Sequence, residues 1–308
     1  MTRTDSTPDP GTDPVAADPM IAGPGAPDAG ASSATADRAG AEPAAPRARR
    51  GRSGTSAGGG PAARWGAGFV GLLLGLAVWA LLTSGLVTDD PVIGGMSPVE
   101  TWAGFGELLD RGVLISDAAV SLYRLVAGLA VAALLGVPLG LWLGLRRRAE
   151  AVAGPLVQFL RMISPLSWAP VAIAVFGIGN EPVIFLVAAA AIWPIMLSTS
   201  SGVHAMDPGY LDVARTMGAS GSERLTRVVI PAVRPAILGG IRLALGTAWI
   251  VLVPAEMLGV RSGLGYQILN ARDQLAYDQV MAVILVIGVL GFALDSLSRL
   301  ILRERTAR

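Results

Sequence analysis

The chain has 308 residues, of which 52% are hydrophobic and only 15% charged, with a mean hydropathy of +0.56 and a formal net charge of +1, a composition far more apolar than that of a soluble domain. All 24 basic residues are arginine, which excludes functions that need a lysine, including the phosphate-cradling P-loop and Schiff-base catalysis. Zero cysteines exclude disulfides and thiolate chemistry, and the single histidine, His204, gives no basis for a histidine metal site.

Residues 1–62 are dominated by Ala, Pro, Gly, Asp, Ser and Thr and hold almost no large apolar side chain, so they read as a disordered tail. Arg47, Arg49, Arg50, Arg52 and Arg64 then precede the apolar run Trp65 to Val87. A secretory or twin-arginine export signal is the alternative reading, but 23 residues suit a spanning helix better than a shorter signal core.

Five further apolar runs follow: Ala118 to Leu145, Leu156 to Ile178, Val183 to Gly202, Pro235 to Leu258 and Val280 to Leu297. Each is about long enough to cross a hydrocarbon core of roughly 30 Å at 1.5 Å per residue. A backbone in hydrocarbon must satisfy its own hydrogen bonds, so the expectation is an all-α membrane protein with six transmembrane helices. With the N-terminus inside, sixteen arginines flank the spans on the cytoplasmic side, and only Arg111, Arg261 and Arg272 lie outside. That bias sets both termini and the 204–234 loop in the cytoplasm.

In the second span, Gly136, Pro138, Gly140 and Gly144 form a ridge of small residues for close helix contact. The third contains "RMISPLSWAP", in which Pro165 and Pro170 each remove a backbone hydrogen bond and bend or break the helix. Broken backbone at membrane depth lines a cavity or is buried in protein, which nominates Ser164, Ser167 and Trp168 as pathway lining. Arg161, Arg242 and Arg299 stand within about two turns of the cytoplasmic face, where long side chains snorkel. Arg124 and Glu256 lie further in from the outer side and are candidates for the pathway or for a structural ion pair.

Between the fourth and fifth runs lies the polar stretch "DVARTMGASGSERLTRVVIP", Asp212 to Pro231. Asp207 and Pro208 start a short helix from Pro208 to Met217, which stops at Gly218. Ser220 and Glu223 form a capping box that starts a second helix, ending before Pro231. Tyr210, Leu211, Val213, Ala214 and Met217 give the first helix an apolar set beside Asp212 and Arg215, larger than the span ends of the chain can cover.

The run Asp212-Val213-Ala214, three residues, Gly218, nine residues, Val228, one residue, Ile230-Pro231 resembles the "EAA" loop, E-A-A-x3-G-x9-I-x-L-P, of the membrane subunits of binding-protein-dependent ATP-driven (ABC) importers. Spacing is complete, with Asp for Glu and Val for the first Ala. "FGIGNEP", "IRLALGTAWIVLVPAEMLG" and "SGLGYQILNARD" resemble the nitrate, sulfonate and taurine branch of that family.

The resemblance covers roughly residues 65–300 and implies a type I ABC importer permease fold, with a permease domain over 63–302, a coupling loop at 206–231 and a C-terminal tail at 303–308. It implies that Tyr210, Leu211, Asp212, Ala214, Arg215, Met217 and Gly218 couple the chain to a separate ATPase. Two ATPase copies, a permease homodimer and an extracytoplasmic substrate-binding protein are implied partners, with no nucleic acid. ATP and Mg belong to the ATPase, so no cofactor and no enzymatic activity are expected of this chain. The ligand implied is a small oxyanion of nitrate, aliphatic sulfonate or taurine type, moved across the plasma membrane. An ion-gradient-driven carrier is the alternative, but it wants paired acids at the midplane and an inverted repeat, and the sequence displays neither.

Overall fold

The computed structural model describes residues 61–84 and 90–304, with side chains described for 70–84 and 90–300. The tail expected over 1–62 lies outside the described residues except for Pro61 and Ala62, which begin a helix. Every described element is helical: α1 (Pro61–Leu82), the single turn α2 (Pro91–Gly94), α3 (Pro98–Asp110), α4 (Val113–Leu145), α5 (Arg147–Leu160), α6 (Ala169–Phe176), α7 (Asn180–His204), α8 (Gly209–Thr216), α9 (Gly221–Gly259), α10 (Leu264–Asp273) and α11 (Tyr277–Glu304).

Four of these, α4, α7, α9 and α11, are long and apolar enough to cross a membrane, and α5 with the Pro165–Phe176 segment makes a fifth span if the bent pair is counted as one. The apolar side chains of α1 are described over Val70–Leu82 only, so the described residues carry four to five spans where six were expected. Large apolar side chains cover the outside of the bundle; Leu134, Ile250 and Phe292 are each at least 73% exposed. Such a surface belongs in lipid rather than water.

The core is three helices deep. The glycine ridge of α4 lies against α7: a Cβ at Gly136 would stand 3.1 Å from the Ile192 carbonyl oxygen, at Gly140 2.5 Å from that of Met196, and at Gly144 2.6 Å from Val203 Cβ. Between helices already surrounded by lipid, close van der Waals contact replaces the hydrophobic drive, and only glycine lets these backbones approach so far. Leu125 and Ala132 of α4, Val187, Ala191 and Ile195 of α7, and Ala244, Ala248 and Leu252 of α9 fill the space between. A second cluster, Leu108, Leu114, Leu264, Ala282 and Val283, joins α3, α4, α10 and α11.

The third span is broken at its prolines, as the sequence leads one to expect: α5 and the Pro165–Phe176 segment meet at 82°. Pro165 and Pro170 occupy first-turn positions of a 3-10 turn (Pro165–Trp168) and of α6, where a missing N–H costs nothing, so each proline starts a helix instead of bending one. The second helix of the polar loop does not end before Pro231; it runs on as α9 through Pro231 and Pro235. The residues before Pro231, Arg224–Val229, form a π-helical stretch, whose wider turn accommodates the proline.

Candidate functional site

The polar loop is fixed at both ends of α8 by short-range interactions. The Asp207 carboxylate accepts a hydrogen bond of 2.8 Å from the Gly209 N–H. At the other end Gly218 is left-handed, φ +78°, its N–H donates to the Arg215 carbonyl and the Ala219 N–H to that of Ala214, both at 3.0 Å. These two bonds make a Schellman motif, which satisfies the carbonyls that a helix end orphans. One residue later Ser220 and Glu223 exchange capping bonds: the Ser220 N–H donates to Glu223 Oε2 at 3.0 Å, and the Glu223 N–H to Ser220 Oγ at 3.3 Å.

Helix α8 therefore has a set rotation. Ala214 is buried, and Leu211 packs on the cluster of Leu141, Val203, Val229 and Val233 at the ends of α4, α7 and α9. Tyr210, Val213 and Met217, at i, i+3 and i+7, point the other way and are 59%, 60% and 81% exposed. Arg215 Nη1 holds Asp212 Oδ1 at 2.7 Å along the exposed flank.

At the far end of the bundle lies a closed polar network. Arg124, 1% exposed, donates from Nη1 to Glu256 Oε1 at 2.7 Å and to the Ser262 carbonyl at 2.8 Å, from Nη2 to Ser262 Oγ at 2.9 Å, and from Nε to Asn180 Oδ1 at 2.9 Å. Glu256, fully buried, also accepts from Ser121 Oγ at 2.8 Å and from the Gly265 N–H at 2.9 Å. Asp117 accepts from the Gly263 N–H at 2.8 Å. Gly263 has φ +102°, and a Cβ there would lie 2.6 Å from Arg124 Nη1 and collide with Glu256. The network thus clamps the 260–265 turn onto α4 and α9.

The pathway candidates do not converge on this network. Ser164, Ser167 and Trp168 are exposed at the α5/α6 bend and share no hydrogen bond with Arg124 or Glu256, which are enclosed. Sequence reasoning named the two charges but missed Asp117, Ser121, Asn180 and Ser262. Their only sequence signal is that short polar side chains recur near span ends. Among the described residues no group of three His, Cys, Asp or Glu side chains could hold a metal.

The family described as binding-protein-dependent transport system inner membrane components matches residues 136–306, from the glycine ridge of α4 to the end of α11. The chain belongs to this family. The permease is 38% identical over 202 residues to the bicarbonate transport system permease protein CmpB of Synechococcus elongatus, covering 64% of this chain and 72% of that one. It is 32% identical over 232 residues to the nitrate import permease protein NrtB of the same species, covering 72% and 83%. It is 34% identical over 229 residues to SsuC of Bacillus subtilis, a permease named for aliphatic sulfonates, covering 74% and 82%. In three dimensions it superposes on a chain of the MetNI methionine ABC transporter, solved in inward-facing conformations, with a TM-score of 0.54 at 19% identity over 64% of this permease and 95% of that chain. The fold is that of a type I ABC importer permease, and the permease is a multi-pass membrane protein.

Proposed function

We propose that this permease is the membrane subunit of an ATP-driven importer that moves a small oxyanion inward across the plasma membrane. The observation that carries the reading is the outward stripe of Tyr210, Val213 and Met217, held at a fixed angle by the Schellman turn at Gly218 and the Ser220/Glu223 box. Three large apolar side chains on one face of a short helix, braced from behind by Leu211 and Ala214, fit the groove of a partner protein. That partner is an ABC ATPase. Two copies act on a permease homodimer, ATP and Mg reside on them, and this chain performs no chemistry. A substrate-binding protein delivers the ligand from outside, and both termini lie in the cytoplasm with α8.

The anion class is supported by relatives named for bicarbonate, nitrate and aliphatic sulfonates. Taurine, an amino sulfonate, belongs to the same class. Exposure at the 82° bend supports Ser164, Ser167 and Trp168 as pathway lining, while enclosure of the Arg124–Glu256 pair supports a structural role for it.

The test is reconstitution of the permease in liposomes with a partner ATPase and a substrate-binding protein. Uptake of nitrate, bicarbonate, methanesulfonate and taurine is measured with and without ATP. The reading expects ATP-dependent uptake of at least one. Uptake that follows an imposed proton or sodium gradient without ATP would assign the chain to gradient-driven carriers instead.

A further inference from the structure

An open cavity of about 940 Å³ lies between α7, α9 and α11. Ser198 and Ser201 line it from α7, Arg242 from α9 and Asp295 from α11. Gly239 and Gly246 also face it, and a Cβ on either would meet nothing within 4 Å, so these glycines border open space rather than a helix contact.

The charges at the cavity wall and just beside it do not balance. Asp295 is held by Arg299, which donates to Oδ2 from Nε at 2.9 Å and from Nη2 as well. Arg242 approaches the other oxygen only to 3.8 Å and makes no hydrogen bond to any described residue. Two guanidinium groups thus share one carboxylate. An excess positive charge stands at a side chain that lines the cavity and is 41% exposed, its fork of donors unspent. The contrast with Arg124 is direct: that guanidinium has four hydrogen bonds and is 1% exposed. An unspent planar fork is a receptor for an oxyanion, which it can bind through two oxygens.

We propose that Arg242 forms a binding subsite for a small oxyanion in the α7/α9/α11 cavity, with the Ser198 and Ser201 hydroxyls beside it. The proposal rests on the reading of the chain as an oxyanion permease and names where, within it, the anion is held. Arg242 carries the charge, Arg299 keeps Asp295 from neutralising it, and Gly239 and Gly246 keep the space clear.

The native sequence has no cysteine, so Ser201→Cys gives the full-length permease a single thiol in the cavity. In liposomes its labelling rate is measured with an anionic sulfonatoethyl and a cationic trimethylammonioethyl methanethiosulfonate, with Ser222→Cys in the exposed loop as reference. The subsite predicts that the anionic-to-cationic rate ratio at position 201 exceeds the reference ratio, falls about tenfold in the Arg242→Gln background and is retained with Arg242→Lys. It also predicts that millimolar nitrate, bicarbonate or methanesulfonate slows labelling of Ser201→Cys itself, a measurement that needs no arginine variant. A ratio indifferent to Arg242, or labelling indifferent to all three anions, overturns the subsite. Uptake with ATP, ATPase and binding protein reads the proposed function separately. Anion protection that depends on Arg242 without any uptake leaves the subsite standing and removes the transport reading, whereas uptake without protection does the reverse.

Discussion

Arg124 and Glu256, 132 residues apart in sequence, meet at 2.7 Å in the interior of the bundle, where neither is more than 1% exposed. The pair is completed by Ser121, Asn180, Ser262 and the Gly265 N–H, so neither charge keeps an open side toward a cavity. Its role is to hold the 260–265 turn against α4 and α9.

Removing one partner of such a pair strands the other. Arg124→Gln and Glu256→Gln are each expected to destabilise the folded permease by about 3–5 kcal/mol, and the double variant by less than the two together. Thermal unfolding of the detergent-solubilised protein checks this. Single variants that melt with the native protein would free Arg124 for a direct role in the pathway.

Much of the α8 loop was legible because its determinants are local. An Asp-Pro start, a glycine stop and an S-x-x-E box each act within four residues, and the structure forms all three, with α8 at Gly209–Thr216 inside the expected 208–217. The Arg124–Glu256 pairing was not legible because nothing in one sequence links positions 132 residues apart, and each charge taken alone had several readings. Prolines were legible in one place and not in the other. Pro231 was expected to end a helix, yet the π-helical stretch before it carries the chain through. Pro165 and Pro170 were expected to bend or break their helix, and the span breaks there by 82° because each begins a new helical turn.

The topology expected from the distribution of arginines is open to a direct check. A reporter active only outside the cytoplasm should work when fused after Gly95 or Ser262 and be silent when fused after Arg148 or Ser220. The inverse pattern would place α8 outside the cell, beyond reach of any ATPase.

Gly218 has φ +78° with nothing within 4 Å of its missing Cβ, so a substitution there strains the backbone without a clash. Gly218→Val is expected to cost about 1–3 kcal/mol locally and to unwind the Schellman turn that orients α8. The spans do not depend on this turn, so the variant should insert normally and lose uptake, with ATP hydrolysis no longer stimulated by the loaded binding protein. Normal uptake per inserted molecule would make the turn a passive connector.

The exposed stripe of α8 is the proposed contact with the ATPase, and Met217, 81% exposed, is its most accessible member. Met217→Asp leaves Leu211 and Ala214 packed but puts a charge on the docking face. The decisive measurement is co-purification of the ATPase with Met217→Asp and with Tyr210→Ala, alongside the native permease and the exposed control Ser222→Ala. Met217→Asp is expected to insert at native levels, to retain less than a tenth of the ATPase and to show no ATP-dependent uptake; Tyr210→Ala is weakened in the same sense, and the control is unchanged. Full retention of the ATPase with native uptake in Met217→Asp would contradict the proposed contact.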